Sequence, residues 1–389
     1  MRRARVILLT SSLAVVLVFS GLLVAARQRD DGMYQALGVL AEVLHLVDAE
    51  YVEPLDTSSL ELSLDGGLVQ AIDPWAAVLP EGSVEPYRRL LGSPPAFGLG
   101  LAWRFSSAAV RFTLPGSPSA DAGLQSWEVI ELIDGVNTRG RPLWQIRLEL
   151  AERERAGQEV HLAVVDRFVD ERREVVLKPA PWQPEPVSVS DHQGVPVLEV
   201  HCLAKGAAAA IQKVAPATGP YVLDLRPLVW GFEDEAVKVA DLFADRGQLA
   251  SWSGQRVGEE SFEATEGVVG SGLPVVLVNA NTEGSGEILA AALQGLEAQI
   301  VGRRTAGHAP HMRLIHDGDL HLWIPVAYWQ RADGSAIHGK GVEPGVELET
   351  TQADEDGDPA LDRAVELARE QGGEAAATER SEAHGQAAA

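Results

Sequence analysis

The chain has 389 residues, 46% hydrophobic and 23% charged, a globular composition that excludes wholesale disorder and has room for two or three domains. Its 32 Lys and Arg against 56 Asp and Glu leave a net charge of −24, which repels phosphate backbones and excludes general nucleic-acid binding. One cysteine, Cys202, excludes an intramolecular disulfide and any zinc site built from several thiolates, and reads as a small core residue.

In chain order, the first predicted element is a membrane segment. Arg2, Arg3 and Arg5 precede an uncharged, mostly apolar run from Val6 to Ala26, whose helical length matches the about 30 Å of a bilayer core. The basic flank keeps to the cytoplasmic side, so everything after Arg27 lies outside the cytoplasm. Residues 1–32 therefore read as a signal anchor, with membrane contact through residues 6–26. A signal peptide cleaved at Val24-Ala25-Ala26 is the rival reading.

Residues 33–92 carry a helical period in Leu37, Leu40, Leu44, Leu46 and Val47, and again in Leu60, Leu62, Leu64 and Leu68. Pro94-Pro95 breaks this pattern. Residues 93–182 hold short β-runs at 98–103, 109–114, 128–133 and 160–165 and one helix over 142–155, the pattern of a compact β-rich module. Pro179, Pro181, Pro184 and Pro186 stiffen the connector that follows.

Residues 183–350 alternate strand and helix: strands at 195–200, 221–225 and 274–278, helices at 204–215, 233–244 and 287–296. Such alternation predicts a parallel-rich α/β sheet with helices on its faces. A hairpin follows, its strands at 312–316 and 320–327 joined by Asp317-Gly318-Asp319. In residues 351–389, Asp358-Pro359 opens a helix over 360–370, and the acidic end beyond Gly372 reads as disordered and solvated. His308, His311, His316 and His321 are close in sequence, but no acidic residue joins them in a metal-binding pattern, and His316 and His321 read as solvated flanks of the hairpin turn. The acidic run from Asp354 lacks a calcium loop's closing glutamate, since Val365 holds the twelfth position. No metal and no cofactor is expected.

Several longer motifs run through this order of parts: Tyr51-Val52-Glu53-Pro54, Asp73-Pro74-Trp75, Gly116-Ser117-Pro118 through Ala122-Gly123-Leu124, Ile133-Asp134-Gly135, Leu223-Asp224-Leu225-Arg226, the run 235–243, and Gly339-Lys340-Gly341-Val342-Glu343-Pro344. On these residues the chain resembles the carboxyl-terminal processing peptidases, or tail-specific proteases, over residues 33 to 370. The resemblance implies a helical N-terminal region, a PDZ-like β-rich domain and an α/β protease core with a Ser–Lys dyad. It also implies that the loop Gly98-Leu99-Gly100-Leu101 holds a peptide's terminal carboxylate while the peptide adds as a strand. The module departs from the family at Trp127, where a turn glycine is expected.

The catalytic positions also depart from the family. Gly284 occupies the nucleophile's position, His308 the lysine's, and Met312 that of a supporting glutamine. The oxyanion loop reads Pro227-Leu228-Val229-Trp230-Gly231, so Trp230 and Gly231 stand where the family's glycine amide acts. Glycine offers no oxygen to form an acyl-enzyme. The sequence therefore predicts a pseudoprotease that binds peptide or protein C-terminal tails, with an active homologous protease as a further candidate partner. The alternative is a serine endopeptidase with a shifted Ser285–His308 dyad; the simpler reading has Ser285 capping the helix that starts near Gly286.

Overall fold

The computed structural model describes residues 38–46, 66–166, 171–216, 218–265, 272–318, 320–349 and 357–372. The predicted membrane segment 6–26, the acidic run from Asp354 to Asp356 and the tail beyond Gly372 lie outside them. Among the described residues no helix is long and apolar enough to cross a membrane. The chain divides into two units, 1–65 and 66–389. In the first, the described residues form helix α1 (38–46), whose Val39, Leu40, Val43 and Leu46 are exposed.

The second unit opens with α2 (66–70), strand β1 (Ala77–Leu79) and α3 (Glu81–Leu91). Within the region read as helical, 33–92, the structure places a strand: Ala76, Val78 and Leu79 are buried in and beside it, while Leu68 on α2 is exposed.

The β-rich module holds β2 (Leu99–Arg104), β3 (Ser107–Thr113), α4 (Pro118–Asp121), β4 (Val129–Ile133), β5 (Val136–Asn137), α5 (Leu143–Arg155), β6 (Val160–Asp166) and β7 (Glu171–Leu177). Its antiparallel sheet runs β2-β3-β4-β6-β7, with β5 on β4. Alternate strand residues such as Val110, Ile130 and Leu162 meet Ile146 and Leu150 of α5 in one core. Among the described residues strand β2 pairs only with β3, which leaves its other edge without a partner strand there. A Cβ at Gly100 would stand 2.3 Å from the Phe112 ring, which is why this strand position takes glycine. Trp127 adopts the conformation glycine would have had there, at φ 71, held by its amide to the Val110 carbonyl (2.6 Å) and by Arg104 donating to its own carbonyl (2.6 Å).

The core contains β8 (Val187–His192), β9 (Val195–Val200), α6 (Ala207–Val214), β10 (Val222–Asp224), α7 (Glu233–Asp241), β11 (Gln248–Gly254), β12 (Gly258–Glu263), β13 (Val275–Val278), α8 (Ser285–Gly295), β14 (Ile300–Gly302), β15 (Pro310–Asp317), β16 (Leu320–Arg331), β17 (Val346–Glu347) and α9 (359–372). The central sheet runs β17-β14-β13-β10-β9-β8, parallel except where β8 meets β9. Its inner strands β10, β13 and β14 are buried on both faces, as a sheet covered on both sides requires. Ile211, Val239, Ile288 and Leu289 cover one face, and Ala360, Ala364, Val365 and Ala368 of α9 cover the other. The expected mixed α/β architecture is therefore present. A second sheet, β1-β16-β11-β12 with β15 on β16, lies beyond α7 and α8. His321 on β16 is buried rather than solvated, bonded to Glu81 of α3 and, through Nδ1, to His316 Nδ1 at 2.7 Å.

Candidate functional site

Strand β13 ends at Val278, and the chain turns through Asn279–Glu283 into α8. The turn is fixed locally: Asn279 Oδ1 accepts from the amides of Asn281 (2.9 Å) and Thr282 (3.1 Å), an Asx turn. At its apex Gly284 sits at φ 57, ψ −118, and its amide donates to the His308 carbonyl at 3.0 Å. A sharp, strained strand-to-helix turn is the geometry that exposes a catalytic hydroxyl in many hydrolases. Here the elbow is intact and the side chain is missing. Among the described residues a Cβ would meet only Trp75, at 3.5 Å.

Ser285 is the first residue of α8, 8% exposed, and its side chain makes no capping hydrogen bond; the N-cap is Gly284, which corrects the capping role expected for Ser285. No hydrogen bond joins Ser285 to His308 among the described residues. His308 instead lies between two carboxylates, Nε2 at 3.0 Å from Asp73 Oδ2 and Nδ1 at 3.3 Å from Glu283 Oε1. Glu283 also pairs with Arg111 of β3, so the charges alternate from Arg111 through Glu283 and His308 to Asp73. Trp75 packs edge-on against the His308 ring at 4.2 Å, and the Arg111 guanidinium lies 5.5 Å over Trp75.

Burial alone would push the His308 imidazole toward neutrality. The hydrogen bonds and charges of Asp73 and Glu283 overcome it and hold the ring protonated, with a pKa of about 9. Burial likewise raises the Asp73 carboxyl, but the His308 bond and the Trp75 amide outweigh it and leave it below its ordinary value. His338, 5.7 Å from His308, is pushed down by burial and by the charge on His308.

The loop carrying His308 is pinned from beneath. Fully buried Glu287 accepts from Thr305 Oγ1 (2.5 Å) and from the amides of Gly307 (2.6 Å) and His308 (2.7 Å). Burial lifts this carboxyl above its ordinary value against the pull of the three donors. From the other side, Gly339 donates to Gly307 (2.7 Å) and Val342 to Thr305 Oγ1 (2.7 Å). A Cβ at Gly341 would stand 2.6 Å from the Thr305 carbonyl, so the Lys340-Gly341-Val342 segment acts as a backbone clamp.

A cavity of about 490 Å³ opens over the elbow. It brings together Gly284, Ser285, Met312, Trp230 and Gly231 with Leu99, Gly100 and Leu101 of the distant module. Gly98 and His308 do not line it; Gly98 packs against Ser117, where a Cβ would fall 2.2 Å away. Gly231 is pressed against Leu203, whose amide donates to the Trp230 carbonyl at 3.0 Å, so this glycine serves close packing. Sequence reasoning missed Asp73, Glu283 and Arg111 as partners at the site. A signal was present: an acidic residue in the nucleophile segment accompanies the histidine in the lysine position. Among the described residues no cluster of three or more His, Cys, Asp or Glu could hold a metal ion.

Residues 203–348 match the family model Peptidase family S41. A probable CtpA-like serine protease of Staphylococcus aureus (strain COL) is 24% identical over 328 residues, 81% of this chain and 65% of the relative, so the chain spans about two thirds of that protein's length. Its counterpart in Staphylococcus haemolyticus is 24% identical over 362 residues, covering 87% of this chain and 72% of the relative. Among solved structures, the photosystem II D1 C-terminal processing protease superposes with a TM-score of 0.61 at 22% identity, covering 79% of this chain and 87% of that one, a likeness of fold. Residues 203–348 are thus similar to peptidase family S41, and the chain is similar to CtpA-like serine proteases at 24% identity and shares the fold of a C-terminal processing protease.

Proposed function

We infer that this chain is a receptor for peptide tails built on a C-terminal-processing peptidase scaffold, and that it does not cut what it binds. The observation that carries this reading is the elbow, where Gly284 leaves no nucleophile and His308 is clamped as an imidazolium between Asp73 and Glu283. Acyl transfer needs an oxygen to attack and a base with a free lone pair. A Ser285–His308 endopeptidase would need His308 to leave both carboxylates and shed its proton.

The module over 93–182 is read as a PDZ-like domain. Its edge strand β2 and the loop Gly98–Leu101 suit a tail that adds as a strand with its carboxylate on backbone amides. Residues 6–26 would hold the protein at the membrane with its bulk outside the cytoplasm. An active homologous protease, supplied with captured tails, is a fitting partner.

The test is incubation of the full chain with disordered peptides, read by mass spectrometry, beside anisotropy titrations of labelled tails. Binding that disappears when the terminus is amidated, without new peptide products, is the expected result. Specific cleavage by the wild type, abolished in Ser285→Ala, sinks the reading.

A further inference from the structure

Among the described residues the cavity is lined by five charged side chains, and four of them are already paired: Arg111 with Glu283, Glu233 with His311, and Asp234 with Lys238 on α7. The fifth, Arg147 of α5, is half-buried and has no hydrogen-bond or ion-pair partner among the described residues. Two further donors line the same cavity unpaired. The Tyr87 hydroxyl, on a residue 1% exposed in α3, bonds to no described residue, and the Trp103 indole nitrogen of β2 is buried without an acceptor. The positive charge of Arg147 is felt at the Tyr87 hydroxyl, opposing the upward push of burial on that group. Guanidinium and indole only donate, and a phenol readily does. Three unpaired donors in one apolar cavity are the complement of an anion, and an unsatisfied buried donor regains its lost bond only when an acceptor arrives.

The position of this cluster relative to β2 names the anion. Glu154, at the end of α5, accepts from the Phe97 amide just before β2 (2.8 Å), while Gly140, just before α5, donates to the Ser106 carbonyl just after β2 (2.9 Å). The helix therefore runs antiparallel to the strand, and Arg147, midway along it, stands level with Leu101 at the far end of the carboxylate loop and with Trp103 beyond it, away from the loop's start at Gly98. Strand residues advance about 3.3 Å each, so a tail whose terminus rests at Gly98–Leu101 presents to this cluster a residue about two to four positions before its end.

We propose that Tyr87, Trp103 and Arg147 form a subsite for an acidic side chain, so that the tails taken by this groove carry Asp or Glu about two to four residues before the last. This rests on the tail-binding reading above and adds to it a preference set by α3, β2 and α5 together.

The experiment titrates the full chain with labelled octapeptides ending in an apolar residue, with Glu or Gln at each of those three inner positions. One Glu tail is expected to bind about tenfold more tightly than its Gln twin, as for one charge-assisted pair. Arg147→Gln should erase that difference, and Arg147→Glu should shift the preference to Lys at the same position. Equal binding of Glu and Gln tails by the wild type overturns the subsite while leaving tail capture standing. Absence of binding by every tail, or indifference to amidation of the terminus, overturns tail capture itself and the subsite with it.

Discussion

His308 Nε2 lies 3.0 Å from Asp73 Oδ2, although 235 positions separate the two residues. The bond ties the loop after β14 to the segment just before β1, and it holds the imidazole in its charged form. Because the charge depends on the fold, the fold depends on pH.

The folded pKa of His308, about 9, lies above its ordinary 6.5. Its contribution is therefore complete below pH 6.5 and is lost as pH rises through about 9. Asp73 is shifted the other way, so its contribution holds above its ordinary 3.8 and fades as the pH falls further. The two shifts are largely one interaction seen from its two ends, on the order of 2 kcal/mol. Urea denaturation at a series of pH values should give a stability plateau in the mildly acidic range and a decline toward pH 9.5 that His308→Gln flattens. An unchanged alkaline limb in that variant would remove the imidazolium from the account.

Gly284→Ser restores a hydroxyl to the elbow, with space for its Cβ 3.5 Å from Trp75. The backbone, at φ 57, resists any L side chain by about 1–2 kcal/mol. We expect a lower melting temperature and no gain of peptide cleavage, because His308 remains an ion-paired cation. Labelling of residue 284 by a serine-directed reagent would contradict this.

Arg226 forks onto Asp224 and Asp358, with its Nη2 at 2.7 Å from both carboxylates. Asp358 also caps α9, accepting from the Leu361 amide at 3.0 Å. Arg226→Met strands the nearly inaccessible Asp224 and should destabilise by about 3–5 kcal/mol. Asp358→Asn keeps the cap and should cost about 1 kcal/mol. Denaturant titration of both variants checks the order, and equal losses would show that α9 docking, not the buried acid, dominates.

Glu287→Ala removes the acceptor shared by Thr305, Gly307 and His308. Buried donors left unpaired cost about 1–3 kcal/mol each. Amide hydrogen exchange should accelerate at 305–308 well beyond its change in β13. Uniform acceleration over the core would mean a global loss instead.

The parts of this fold that were legible in sequence are those where one local pattern decides. Val195–Val200 and Val275–Val278 are apolar on both faces, and the run into α7 carries its acidic first turn. The hairpin β11–β12 escaped because Gly258–Glu263 is almost wholly polar and exposed, an edge strand defined by its partner. Strand β8 escaped similarly, with its mid-strand exposed to solvent. At the site, the departures from the family's pattern at 284, 308 and 312 could be read position by position. The ion pairs around His308 could not, since Arg111, Glu283, His308 and Asp73 come from four remote segments that only the tertiary fold assembles.

The left-handed elbow at Gly284 also sets a direction for change. Glycine there is relaxed, and every side chain, serine included, is strained in that conformation. Replacing His308 by lysine would give up an imidazolium fitted to two carboxylates. A Ser–Lys pair at 284 and 308 would therefore begin from a substitution that lowers stability, so the backbone of the elbow itself favours glycine over any residue that bears a hydroxyl.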